Sequence, residues 1–235
     1  MKQWLIRKVH PWIPLYLIVP AAVCLAFNAL VYNGSRALMG GKPHYDLTTA
    51  LDRAIPFHPG WVWIYIASFA FWAVGYIMVA RQGRTHWYRY VATVLMAKAV
   101  CGLCFLLLPT TNVRPELLEE TGWLMRLVYR LDDPTELFPS IHCLESWLCY
   151  LGVRGQKRCP KWYPGFACVS AVLIFASTQF TKQHYLIDIP AAVLIAEGAW
   201  FLTGRLDLGR FAQKAGNAAE RVLFGTNPGE DGYGE

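Results

Sequence analysis

Five apolar runs constrain this chain more than any other feature: 12–32, 61–80, 88–108, 162–180 and 184–203. Each is close to the ~20 residues that a helix rising 1.5 Å per residue needs to cross ~30 Å of hydrocarbon. A sixth run, 140–154, is shorter and more polar. Trp and Tyr stand at many of the ends, as interfacial belts require. Only 16% of the 235 residues are charged and 55% are hydrophobic, whereas a soluble domain carries nearer a quarter charged. The expected fold is therefore all-α: one integral-membrane bundle of six transmembrane helices over residues 1–203, with no second domain and no internal repeat.

The basic residues orient it. With the N-terminus inside, fourteen Lys and Arg fall in cytoplasmic segments and seven in outer loops, while Lys98 lies within a span. That asymmetry places both termini in the cytoplasm of a multi-pass cell-membrane protein. The net charge of +6 then reflects topology, and no nucleic-acid partner is implied. The first run is too long for a signal-peptide core and lacks a cleavage site, so it reads as a retained helix. Beyond 203, Leu208, Phe211, Ala215, Ala218 and Val222 recur at helical spacing among basic residues, which predicts an amphipathic helix on the inner leaflet. The Gly-rich, acidic end, 225–235, is expected to be disordered. Cys101 and Cys104 form a CxxC pair inside an apolar helix, where packing is the better reading than metal or redox chemistry. Lys98 and Glu145, also within spans, are expected to neutralise each other, or one of them to pair with Glu197.

Polar residues cluster at the edges of the apolar runs, where ionisable groups mark function by default. Helix parity puts the loop carrying Arg114, the start of the fourth helix and the start of the sixth on one outer face. Pro139 suits the first turn of a helix, and the N–H groups of Ser140, Ile141 and His142 would face an anion at its positive end. Arg114 offers a planar fork matched to phosphate oxygens. His184 and Asp188 are four apart and share a helical face. The carboxylate can fix the imidazole tautomer while the other ring nitrogen attacks. His142 can protonate the leaving oxygen. No metal cage or cofactor site is apparent, and metal-free phosphoryl transfer through a phosphohistidine fits the set. His10, His44, His58 and His86 lack such company and read as interfacial residues.

These segments resemble the type-2 phosphatidic acid phosphatase superfamily, membrane enzymes of six helices. Arg114-Pro115 resembles the end of its first motif (Lys-x6-Arg-Pro). Pro139-Ser140-Ile141-His142 resembles the second (Pro-Ser-Gly-His), and Ser177-x6-His184-x3-Asp188 the third (Ser-Arg-x5-His-x3-Asp). The resemblance implies catalytic His184, His142 and Asp188, with phosphate contacts from Arg114, Ser140, Ile141 and Ser177. Three positions depart from it: Leu107 for lysine, Ile141 for glycine and Thr178 for arginine. Lys182, two residues before His184, is expected to restore one phosphate-binding charge. The wording Lys-Gln-His-Tyr-x-x-Asp is similar to the branch containing inositol phosphorylceramide and sphingomyelin synthases.

The expected activity is hydrolysis of a lipid phosphate or pyrophosphate at the outer membrane face, on a substrate such as phosphatidate, phosphatidylglycerol phosphate or a polyprenyl pyrophosphate. Acidic residues of the outer loops, Glu116 and Asp132 among them, favour a lipid arriving from the bilayer over a soluble anion. The alternatives are transfer of a phospho-headgroup to a lipid alcohol, or a non-catalytic lipid-binding or transport protein of the same fold. An ion path through Lys98, Glu145 and Glu197 ranks below these, because no inverted repeat accompanies it. The sequence carries no signal for an oligomeric state.

Overall fold

The computed structural model describes residues 13–118 and 121–224. The expected tail, 225–235, lies outside the described residues, as do the first cytoplasmic lysines and arginines. Nine α-helices follow among the described residues: α1 Ile18–Met39, α2 Ala50–Ala54, α3 Val62–Ala80, α4 Arg84–Leu107, α5 Trp123–Leu131, α6 Ile141–Val153, α7 Tyr163–Phe180, α8 Asp188–Arg205 and α9 Leu208–Phe224.

Four segments are long and apolar enough to cross a membrane: α1, α3 with the turn before it, α4 and α7. A fifth arises if α8 and α9, bent by 80° at their junction, form one broken span. The six-span count was an expectation; the two helices that fall short of it do so for physical reasons. At 1.5 Å per residue α6 is only ~20 Å long, and it carries Glu145. The eighteen residues of α8 include Asp188 and Glu197. Leu25 and Leu30 of α1, Trp63 of α3, Val169 of α7 and Phe201 of α8 are all exposed. A soluble protein would not show apolar side chains on so many helices; a bilayer covers them.

Several helix ends differ from those expected. The first helix runs on to Met39 through Asn33, Gly34 and Ser35, with the Ser35 hydroxyl satisfied inside the helix by the carbonyls of Val31 and Tyr32. The third expected helix begins four residues early, at Arg84, directly after Gly83 turns the chain at φ 127°. The last expected span starts at Asp188 rather than His184, which leaves His184 in the preceding turn. Two short helices occupy stretches expected to be outer loop. Thr49 and Asp52 form a capping box that starts α2. Leu124, Met125 and Val128 give α5 its buried face.

Helix α6 is the axis of the bundle and packs against α3, α4, α7 and α8. Its Leu144, Leu148 and Leu151 are fully buried. Glycines let α3 and α6 approach closely. A Cβ on Gly75 would lie 2.7 Å from Cys149 Sγ, and one on Gly152 would lie 2.4 Å from Val79 Cγ2. Small residues serve this purpose at helix contacts in membranes. Between α4 and α6 the buried Lys98 Nζ meets Glu145 Oε2 at 2.9 Å, and the Tyr76 hydroxyl donates to the other carboxylate oxygen. Glu197 instead takes two hydrogen bonds from Arg154, at 2.8 and 3.0 Å, and one from Trp147 Nε1. All seven cysteines are free thiols.

Candidate active site

The site is assembled where the C-terminal ends of α4 and α7 meet the N-terminal ends of α6 and α8. Its centre is the turn 181–187, and nearly every polar group of that turn is tied to another element. Gln183 and His184 donate their N–H groups to the Thr178 carbonyl at 3.0 and 3.3 Å. The Lys182 carbonyl accepts from Asn112 Nδ2, and the Thr181 carbonyl accepts from the Tyr129 hydroxyl. The Leu186 N–H donates to Asp52 Oδ1 at 2.6 Å. Lys182 takes a left-handed conformation, φ 55°, from which its ammonium reaches the carbonyls of Asp52 and Ile55. Burial lowers the Lys182 pKa and the nearby Asp52 opposes that shift. An ammonium has three protons, so one remains beyond those two carbonyls.

His184 Nδ1 lies 2.9 Å from Asp188 Oδ2 and 3.0 Å from the Leu137 carbonyl. Both partners are acceptors when Asp188 is ionised, so Nδ1 carries the proton and Nε2 keeps its lone pair. Asp188 is wholly buried at the first residue of α8, and its Oδ2 also accepts the Tyr185 N–H. The His142 ring sits 6.0 Å from the His184 ring, centroid to centroid. It stacks on Tyr65 at 4.2 Å.

Two cavities meet at His184. One, of about 320 Å³, is walled by Tyr65, Ile66, Phe69 and Trp72 of α3 with Val128 and Leu131 of α5, and reaches His142 and His184. The other, of about 390 Å³, brings together Arg53, Arg114 and Lys182 with Asp52, Asn112 and His184. Arg114 is held in place by three contacts. One terminal nitrogen donates to the Asp132 carbonyl, the other donates to Gln183 Oε1, and the guanidinium carbon lies 4.7 Å from the Tyr129 ring centroid. The cationic recess thus supplies charge where a phosphate bound near His184 would need it.

The remaining residues singled out from sequence are placed as follows. Ser140 is wholly buried and caps α6, its hydroxyl accepting the Cys143 N–H at 3.2 Å. Ile141 borders the apolar cavity. Ser177 is buried one turn before the end of α7 and donates to the Ile174 carbonyl. Leu107 faces outward, 74% exposed, and brings no charge to the recess. Thr178 is buried and donates to the Phe175 carbonyl.

Sequence reasoning assigned no role to Arg53, Asp52 or Gln183. Arg53 brings a third cation to the recess. Asp52 anchors the turn, and hydrogen bonds from Thr49 and Leu186 outweigh the effect of its burial, lowering its pKa below the usual carboxylate range. Among the described residues, no group of three or more His, Cys, Asp or Glu side chains is arranged to hold a metal ion.

Residues 45–202, about two thirds of the chain, match the family model of the PAP2 superfamily. No curated protein and no solved structure matches the chain. The matched region spans α2 through most of α8 and includes both site histidines, Asp188 and the three cations of the recess. The chain therefore belongs to the PAP2 superfamily.

Proposed function

We propose that this protein is a membrane-embedded phosphatase that hydrolyses a lipid phosphate or pyrophosphate through a phosphohistidine at His184, without a metal. Family membership supports phosphate-ester hydrolysis in general. The observation that carries the finer reading is the position of His184. Its Nδ1 is held by Asp188 and Leu137, and its ring borders both the aromatic cavity and the cationic recess. A phosphate in the recess and a lipid body in the cavity would place the scissile bond beside it.

In the first half-reaction His184 Nε2 attacks phosphorus while His142 Nε2 gives a proton to the leaving oxygen. The P–O bond to the lipid breaks and the N–P bond forms. In the second, His142 takes a proton from water, the water oxygen bonds to phosphorus, and the N–P bond breaks to release phosphate. Arg114, Lys182 and Arg53 hold the non-bridging oxygens. Positioning and charge stabilisation of this kind supply most of the rate in phosphoryl transfer. Six spans, which rest on the six apolar runs, and both termini in the cytoplasm with an outward-facing site, which rest on the asymmetry of basic residues, belong to the same proposal.

A second reading is transfer of the phospho-group to a lipid alcohol. The aromatic cavity favours it, because that cavity reaches both histidines and would admit an apolar acceptor where water must otherwise arrive. The test is incubation of the purified protein with phosphatidate, phosphatidylglycerol phosphate or a polyprenyl pyrophosphate in the presence of EDTA. Phosphate release that is lost in His184→Ala is the expected result. A new phospholipid without free phosphate selects the transferase, and undiminished activity in His184→Ala overturns the mechanism.

A further inference from the structure

His184 has an evident orienting partner in Asp188; His142 has none from its own helix. It has one from α3 and the stretch after α5. Asp132 Oδ2 accepts the Tyr65 hydroxyl at 3.1 Å, and Oδ1 accepts the Tyr32 hydroxyl at 2.7 Å. The same Tyr65 oxygen lies 3.4 Å from His142 Nδ1, with the two rings stacked. Phe69 and Trp72 pack against other faces of the imidazole. His142 Nε2 is buried and has no hydrogen-bond partner among the described residues.

A phenol has one proton. Here it goes to the carboxylate, the stronger acceptor, which can only accept. The phenol oxygen therefore turns a lone pair toward His142, so Nδ1 carries the ring proton and Nε2 is the nitrogen that exchanges one. The two histidines are then held alike: each is anchored at Nδ1 by an acceptor, and each leaves Nε2 for chemistry. In His184 the acceptors are Asp188 and Leu137; in His142 the acceptor is Tyr65, backed by Asp132.

We infer that Tyr65 and Asp132 are positioning residues that fix the tautomer of His142 and make it competent as the acid for the leaving group. The inference rests on the phosphohistidine reading above. Asp132 also ties the acid to the phosphate site, because its backbone carbonyl accepts from Arg114. When His142 Nε2–H passes its proton to the leaving oxygen, the P–O bond breaks and the lipid leaves as an alcohol from a phosphate ester, or as a monophosphate from a pyrophosphate. The ring returns to the neutral form that Tyr65 holds at Nδ1. Tyr65 and Asp132 lose no proton in this step.

The test is Tyr65→Phe, which preserves the ring stacked on His142 and removes only the oxygen. Release of the leaving alcohol is measured for two substrates: phosphatidate, whose alkoxide leaves poorly, and a nitrophenyl phosphate bearing an alkyl chain, whose phenolate needs no acid. For phosphatidate kcat is expected to fall about 10- to 100-fold at unchanged KM, the range typical of losing an orienting partner. For the nitrophenyl ester the first-turnover rate of nitrophenolate release, which precedes the water step that also uses His142, should stay within about twofold of the wild type. That second value also shows that the variant is folded. Equal losses on both substrates, or no loss on either, overturn the role of Tyr65. If the wild-type protein releases alcohol from neither substrate, the phosphomonoester form of the phosphatase reading fails, and the inference fails with it.

Discussion

At the scale of single residues, the site depends on side chains that fix other side chains. Asp52 shows this best. It closes the capping box of α2 with Thr49, and it receives the Leu186 N–H from the turn that carries His184. These hydrogen bonds favour its ionised form and lower its pKa. A carboxylate with a lowered folded-state pKa contributes stability that is complete above the unfolded value of ~3.9 and is lost as pH falls through the folded value. Asp52→Asn should therefore unfold at a lower temperature than the wild type at neutral pH. The gap should close as the pH drops below the carboxylate range, as read from thermal unfolding in detergent at a series of pH values.

The same scale shows what spacing along the chain reveals and what it hides. His184 and Asp188 are read directly, because four residues in a helical segment put two side chains on one face. The bond holds even though helix α8 begins only at Asp188. Asp52 and Lys182 are 130 positions apart, and no local pattern announces that contact. Thr49 and Asp52 signal a helix start, but not where that helix docks. Tyr65 sits in an apolar run and reads as core until its hydroxyl is found against Asp132 and His142.

At the scale of elements, apolar length identifies the helices well and their ends poorly. Asn33-Gly34-Ser35 and Gly83 show why: residues that favour turns stay helical inside α1, whereas a residue with positive φ reverses the chain immediately before α4. The buried face of α5, Leu124, Met125 and Val128, is hidden in the sequence among charged neighbours, in a stretch that reads as outer loop. The junction of α4 and α6 carries the heaviest electrostatic load. Lys98 and Glu145 are both buried and paired with each other, so removing one leaves an uncompensated charge. Lys98→Met should cost about 3–5 kcal/mol of stability. Lys98→Met combined with Glu145→Leu and Tyr76→Phe, which leaves no buried charge or hydroxyl unpaired, should recover most of that loss. Denaturant unfolding in detergent measures both; a triple variant as unstable as the single one would show that the pair does more than neutralise itself.

At the scale of the whole molecule, helices with lipid-facing apolar surfaces surround a buried α6 that carries Glu145, and the site lies at one end of that bundle. The short helix tolerates Glu145, and its start presents His142, because α3, α4, α7 and α8 shield it on most sides. The family match covers this inner assembly and omits α1 and α9. Yet α1 contributes Tyr32 to the Asp132 network, and α9 packs along α4.

The central claim is a covalent intermediate on one nitrogen of His184. Phosphatidate, phosphatidylglycerol phosphate and a polyprenyl pyrophosphate, each labelled with ³²P in the transferable phosphate, are mixed with the protein and quenched within a single turnover. The predicted result, for the substrate that is turned over, is a protein-bound label that resists alkali and is released by acid, as a phosphohistidine is. It should be present in the wild type, absent from His184→Ala, and mapped to the peptide containing His184. Turnover of a labelled substrate with no protein-bound phosphate, or with label that persists in His184→Ala, would contradict the account.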